Sequence, residues 1–543
     1  MTDRESFDYV IVGAGSAGCV LANRLTEDPT VTVVLLEAGP ADDADEIHIP
    51  AAWGKLIRTQ WDWRYETTPQ KQLGGQRAHW PRMKALGGCS SMNAMIYIRG
   101  NRVDYDGWRR DFGAVGWSYE DVLPYFVKSE TNTGLRSPYH GTDGPLHVEN
   151  PRYVHELTDA WVEAAVAAGL PRTEDFNAAE QDGVGRYQVT HRRGRRWSTA
   201  DGYLHPIAAR PNLTVRTGAH VTRVRFAGTR AIGVEYLQGA DEHTVFADAE
   251  VLLCGGAINS PQLLLLSGVG PGAQLREHGL EVVAELPGVG ENLHDHPATP
   301  MLWHTRATSD LAQFETPLRL AQWQALGRGP LASNIGEGGG FTRTSAELAA
   351  PDMQFHVAPT AFYDNGLHES LAPMFTAGPT LVDVHSRGRV RLRSADPLWK
   401  PEIDPAYLSD PRDLDALLAG MRLLIEITRQ SPLSKYIARP YLPESADAAD
   451  EDGLRAHIAR WTQTLFHPVG TCAMGTGEMA VVDAELRVRG VEGLRVVDAS
   501  IMPRIVRGNT NAPVVMIGEK AADLIRGRGV ATAVVPAAKE SSR

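Results

Sequence analysis

The stretch Gly13-Ala14-Gly15-Ser16-Ala17-Gly18 constrains the fold more tightly than any other. It follows a short apolar run, Tyr9 to Val12, and beyond it Ala17, Val20, Leu21 and Leu25 recur at helical spacing. Next comes Val31 to Gly39, VTVVLLEAG, β-branched and continuously apolar, as expected of a strand covered on both faces of a parallel sheet. Strand, glycine turn, helix and strand make a βαβ unit whose crossover is right-handed. The G-x-G-x-x-G spacing asks for glycine three times: a tight turn, backbone approach to a pyrophosphate, and close packing of helix on strand. Amide donors and the helix dipole then face the phosphates. Glu37 ends the second strand, where a carboxylate accepts from ribose hydroxyls and repels a 2′-phosphate, so the motif predicts FAD or NAD rather than NADP.

With 543 residues the chain has room for two or three domains. It is 43% hydrophobic and 22% charged, which favours neither disorder nor a membrane class. The 66 acidic residues outnumber 54 basic ones, an argument against a nucleic-acid or anionic-membrane partner. Four scattered cysteines, Cys19, Cys89, Cys254 and Cys472, lack zinc or redox-pair spacing and read as thiols of a reduced, cytoplasmic chain. MTDRESFDYVIVGAGSAG passes from charged residues straight into a short apolar run, without the long apolar region and small-residue cleavage site that export needs, so no export signal is expected. No apolar run reaches the ~18 residues of a membrane span, and peripheral membrane contact stays open.

Trp53 to Arg110 is dominated by glycine, tryptophan and turn signals and reads as extended polypeptide laid across another element. Helical spacing follows from about Val154 to Gly169, then short strands at Leu213 to Thr217, Val221 to Phe226, Ala231 to Tyr236 and Glu250 to Cys254. From about Pro300 to Arg460, alternating segments such as Met353 to Val357 mix with a helix-like Asp413 to Arg429, an α+β texture. The basic run His191 to Arg196 reads most simply as a solvated turn.

Two further stretches decide between FAD and NAD. Ala85 to Asn93, ALGGCSSMN, is too rich in glycine and serine for a helix interior, yet Met95, Ile96 and Ile98 follow at once; a buried loop needs partners for its backbone, and a large polar cofactor would supply them. Gly255 to Gly270, GGAINSPQLLLLSGVG, offers Ser260 as an N-cap with Pro261 at the first helical position. Together with GAGSAG, the runs PRMKALGGCSSMNAMIYIRG (Pro81 to Gly100) and GGAINSPQLLLLSGVG resemble the signatures of the glucose-methanol-choline (GMC) oxidoreductases, FAD enzymes that oxidise alcohols. The likeness runs from about Phe7 to Arg526, and Ile98 to Trp108 looks most like the choline-dehydrogenase-like branch.

The fold class this implies is α/β, a Rossmann-like FAD-binding domain with an α+β substrate-binding domain. The FAD-binding domain is expected in three parts, 1–155, 207–299 and 461–530; substrate-domain segments are expected at 156–206 and 300–460, and a tail at 531–543. The resemblance implies FAD on Gly13, Gly15, Ser16, Gly18, Glu37 and Ala38, with Gly87 and Ser91 in the second stretch and Val221 near the adenine. Asn93, Ala94 and Met95 would lie beside the flavin, and Asp498, Ala499 and Thr510 would close over it. Some relatives attach FAD through a histidine where this chain has Met92; a thioether has no comparable chemistry, so non-covalent FAD is expected.

One histidine remains, in Phe466-His467-Pro468-Val469-Gly470-Thr471, FHPVGT. It has no H-x-x-x-H or H-E-x-x-H partner, so no metal is expected. Alcohol oxidation must remove a hydroxyl proton, and histidine suits that near neutral pH; in the family the matching histidine faces the flavin. Family members carry histidine or asparagine at a second position, read here as Asn511 in GNTNAP. The expected reaction takes a proton from a primary alcohol onto His467, steadies the alkoxide with Asn511 and passes hydride to the flavin, giving an aldehyde. Phe466 would wall the pocket, and Glu337 would face a cationic substrate such as choline, with a structural carboxylate in a turn as its other reading. The acceptor, oxygen, a quinone or another carrier, is left open. A lyase or light-driven decarboxylase on the same fold, and a non-catalytic FAD sensor, are the rival readings.

Overall fold

Val33–Leu36 has no polar side chain to offer water, and in the computed structural model all four residues are buried. This strand belongs to a parallel set centred on Ser6–Val12: Leu213–Arg216, Val33–Leu36, Ser6–Val12, the last residues of Asp241–Leu253, and Leu494–Val496 pair in that order. The first half of Asp241–Leu253 continues past the parallel set into an antiparallel ribbon with Arg230–Gln238 and Ala219–Ala227. The described residues are 5–306, 310–366 and 372–528, so the expected tail 531–543 lies outside them.

A second sheet is antiparallel, in the order Ile437–Leu442, Met301–Thr305, Met374–Leu381, Met353–Ala358, Gly338–Thr342 and Gly183–Arg186. Helices Glu156–Ala167 and Pro411–Arg429 pack on it, within a residue or two of the periods read from sequence. Two expectations need correction. Ser260 does not cap its helix: the helix begins at Gly256, and Ser260 lies inside it with its hydroxyl donating to Asp498 Oδ2 at 2.6 Å. Nor is Trp53 to Arg110 wholly extended, since Asn101 and Asp104 form a capping box that starts the helix Arg102–Phe112.

The turn after the first strand shows why two glycines cannot change. Gly13 has φ +99°, and a Cβ there would stand 2.7 Å from the Cys254 carbonyl oxygen; one on Gly18 would stand 2.0 Å from the Gly13 carbonyl oxygen. The helix Ser16–Leu25 is thereby drawn onto its strand, with its N-terminus at the carboxyl ends of the parallel strands.

Candidate active site

A single cavity of about 350 Å³ runs from those strand ends to the second sheet. Val12, Leu36 and Leu253 line one end; His356, Val357, Thr376 and Thr380 line the other. At the first end Glu37 accepts from the amides of Ala14 (2.9 Å) and Gly39 (2.8 Å), which fixes its carboxylate at the cavity wall with lone pairs to spare. Burial pushes its pKa up, opposed by those amides and Lys84.

Gly15 provides the fit test for a pyrophosphate. A Cβ there would meet only the Cys254 carbonyl oxygen, at 3.8 Å, so the protein's own packing does not demand glycine; the missing side chain leaves clearance at a helix N-terminus that opens on the cavity. The residues present fit a dinucleotide. Gly13, Ser16, Ala38, Val221, Asn93, Ala94, Met95, Asp498, Ala499 and Thr510 share this lining. Asp498 is held by the amides of Gly256 and Ser500, both at 2.8 Å, and by Ser260. Three residues expected on the cofactor do not line the cavity. Gly18 serves helix packing, Gly87 donates its amide to the Ala14 carbonyl at 2.8 Å to join the two glycine loops, and Ser91 turns its hydroxyl back to the Leu86 carbonyl at 2.8 Å.

At the other end His467 enters from a strained backbone. Phe466 has φ +67°, rare for an aromatic residue, and is pinned by a bond from its amide to Thr464 and one from Arg82 to its carbonyl. The His467 amide donates to Asp295 Oδ1 at 2.8 Å. Its ring meets His296 edge-on, Nδ1 to Nδ1 at 3.0 Å, so one of those nitrogens carries the proton. Gln354 donates to Asn509 Oδ1 at 3.3 Å, which turns Asn509 Nδ2 toward His467 Nε2, also at 3.3 Å. His467 Nε2 is then the acceptor and its Nδ1 donates to His296, a tautomer assigned from the network. Burial, with His296, His356 and Arg82 nearby, holds the His467 pKa well below its usual value, so the imidazole is neutral at pH 7.

The partner of His467 is therefore Asn509, and the expectation of Asn511 is corrected. Asn511 is the first residue of the helix Asn511–Ile525, and its side chain donates to Ser16 Oγ at 2.8 Å, beside the nucleotide turn. A signal was present: Pro513 belongs in a first helical turn, which draws Asn511 into the helix and leaves Asn509 in the loop ahead of it. Phe466 lines the cavity, but Glu337 does not. Glu337 is fully buried and accepts from Ser333 Oγ (2.6 Å), Thr158 Oγ1 (2.7 Å) and the His155 amide (2.8 Å), because its place just ahead of the strand Gly338–Thr342 turns it into the layer between sheet and helix.

Sequence reasoning missed His296, whose only signal was the HDH text around Asp295, and His356, which an alternating strand points at the cavity. It also read Arg196 as part of a solvated turn. Arg196 is buried, bonding the carbonyls of Ile47 (2.6 Å) and Ser90 (3.0 Å) and Asn93 Oδ1 (2.9 Å), and so holds the loop behind Asn93; burial pushes its pKa down to about 9.

Two family models described as GMC oxidoreductase match this chain, over residues 7–298 and 384–518. The chain is 43% identical to the alcohol dehydrogenase (acceptor) of Pseudomonas putida, across 96% of this chain and 95% of that protein. It is 46% identical to the oxygen-dependent choline dehydrogenase of Klebsiella pneumoniae, across 96% of each. The crystal structure of pyridoxine 4-oxidase from Mesorbium loti superposes with a TM-score of 0.88 at 33% identity, covering 96% of this chain and 100% of that one.

Proposed function

The chain belongs to the GMC oxidoreductase family and is an FAD-dependent enzyme acting on CH–OH donors, and from that premise we propose that it oxidises an uncharged primary alcohol to its aldehyde. The observation that carries the mechanism is His467 Nε2, a neutral acceptor at the cavity wall with Asn509 Nδ2 beside it. His467 Nε2 takes the hydroxyl proton, and Asn509 Nδ2 donates to the oxygen as negative charge develops on it. His296 Nδ1 accepts the hydrogen bond from His467 Nδ1–H on the far side of the ring, which keeps Nε2 the basic nitrogen. Trp53, Ile335, Val357, Phe362 and Phe466 keep water from the reacting carbon. Bound FAD supplies the hydride acceptor; Glu37, the helix Ser16–Leu25 and the Asn93–Met95 loop would hold it without a covalent bond, since Met92 offers no nucleophile at the wall. The four cysteines are free thiols, in keeping with a cytoplasmic enzyme.

The substrate class follows from charge. Among the described residues the only carboxylates lining the cavity are Glu37 and Asp498, both engaged by backbone amides at the nucleotide end. A quaternary ammonium would find aromatic walls but no carboxylate lining the cavity around His467, since Asp295 is buried under the His467 amide and does not line it, and Arg82 adds positive charge there. Stopped-flow reduction of the bound flavin is expected to show kcat/KM for a neutral alcohol of choline's size at least about tenfold above that for choline; equal or better reduction by choline would refute the uncharged substrate.

The two asparagines separate in the same assay. Asn509→Ala is expected to slow flavin reduction about 10–100-fold with FAD content unchanged. Asn511→Ala is expected to weaken FAD retention while leaving the reduction rate of the loaded fraction within about threefold.

A further inference from the structure

The helix Pro317–Leu326, PLRLAQWQAL, is turned the wrong way for a surface helix in water. It starts at Thr316, whose hydroxyl accepts from the Arg319 amide, and stops at Gly327, left-handed at φ +57°. Its one buried residue is Trp323, which donates Nε1 to the Gly194 carbonyl at 2.8 Å and packs with Leu331, Ile49 and Ala51. At 3.6 residues per turn the side opposite Trp323 carries Leu318, Ala321 and Ala325, with Gln322 and Gln324 at its edges, while Leu320 and Leu326 flank Trp323 at about 60° to either side and are exposed. Leu318 is 75% exposed and Leu326 62%. Arg319 is the helix's sole charged residue. A water-facing helix normally puts its polar residues on this side.

The neighbour of this helix is the hairpin at His191–Arg192 and Arg195–Arg196. The two backbones touch, since a Cβ on Gly194 would stand 2.0 Å from the Gly327 carbonyl oxygen, and the Arg195 guanidinium lies 4.6 Å over the Trp323 ring. Arg192, Arg193, Arg195 and Arg328 are exposed, and among the described residues none has an ion-pair partner within salt-bridge distance. The nearby carboxylates are engaged: Glu149 with the Gly194 amide and Arg152, Glu315 with Lys55. Four unpaired arginines beside an outward apolar helix run against the formal net charge of −12.

We propose that the helix Pro317–Leu326 and Arg192, Arg193, Arg195 and Arg328 form a peripheral docking surface for an anionic phospholipid bilayer. The leucines enter the boundary between head groups and acyl chains while the arginines meet lipid phosphates. Ten residues, about 15 Å of helix, lie in the interface and do not cross it. In keeping with this, no helix among the described residues is long and apolar enough to span a membrane. Ile49 and Ala51, which pack beneath Trp323, belong to the same turn region as Trp53, which lines the active cavity. Docking therefore sets the outer side of one cavity wall against the bilayer.

Co-sedimentation of the holoenzyme with vesicles tests this directly, using phosphatidylcholine alone or with one-third phosphatidylglycerol. The wild-type enzyme is expected to pellet with the phosphatidylglycerol vesicles and to be released by salt. Leu318→Gln with Leu326→Gln should lower the partition coefficient at least about tenfold. Arg192→Gln, Arg193→Gln and Arg328→Gln together should remove the preference for anionic lipid, and both variants should reduce their FAD with a water-soluble alcohol at the wild-type rate. Wild-type enzyme left in the supernatant, or variants that pellet as it does, would overturn the proposal. A wild-type dimer that the leucine variant converts to monomer, without vesicle binding, would overturn it in favour of self-association.

Discussion

His467→Ala is expected to slow reduction of the bound flavin by a saturating alcohol about 10²–10⁴-fold while FAD stays in place. The size of the effect follows from the loss of the acceptor that meets Asn509 Nδ2 at the cavity wall. FAD is retained because the groups fitted to its phosphates and ribose lie at the opposite end, on Gly15, Glu37 and the first helix. Acid pH is expected to act on the same atom. The depressed pKa puts the protonation that silences His467 well below pH 6.5, so kcat/KM should hold as pH falls through 6.5 and drop only further down. Reduction by His467→Ala within about threefold of wild type would remove the imidazole from proton transfer.

Glu337→Gln is expected to change stability in a pH-dependent way, by roughly 3 kcal/mol between the two limits. Desolvation pushes the Glu337 carboxyl up from 4.5 to about 7, against hydrogen bonds from Ser333, His155 and Thr158, with Asp159 adding to the rise. The folded protein thus holds a proton that the unfolded chain gives up near 4.5. Its contribution to stability is fully present below 4.5 and is lost as pH rises to about 7. Glutamine is neutral throughout, so the variant's stability relative to wild type should climb from pH 4.5 to about 7 and level off above it, read from paired unfolding curves. A difference that stays flat with pH would mean that the carboxyl titrates alike folded and unfolded. The same experiment bears on the substrate, because a carboxyl that titrates as a buried structural group is unavailable to a cationic alcohol.

The nucleotide half was legible in the chain because each requirement there is local. A backbone that must turn left at Gly13, and a helix that must approach within a hydrogen bond's length at Gly18, leave glycine as the residue that fits; the answering Glu37 sits at the end of the next strand. Continuous apolar runs such as Val33–Leu36 announce burial on both faces. The reacting end was legible only in part. His467 stood out because its neighbours set an unusual turn, and Phe466 followed from adjacency.

What the residues by themselves signalled was the βαβ opening, the dinucleotide turn and the histidine, each read from a short stretch of neighbouring residues. Only the tertiary structure decided which asparagine meets that histidine, that Glu337 is turned away from the cavity, and that Arg196 backs the Asn93 loop. The physical reason is sequence distance: Asn509 and His467, or Glu337 and His155, are neighbours because separate strands and helices bring them together, and side-chain direction at such meetings depends on how those elements pack.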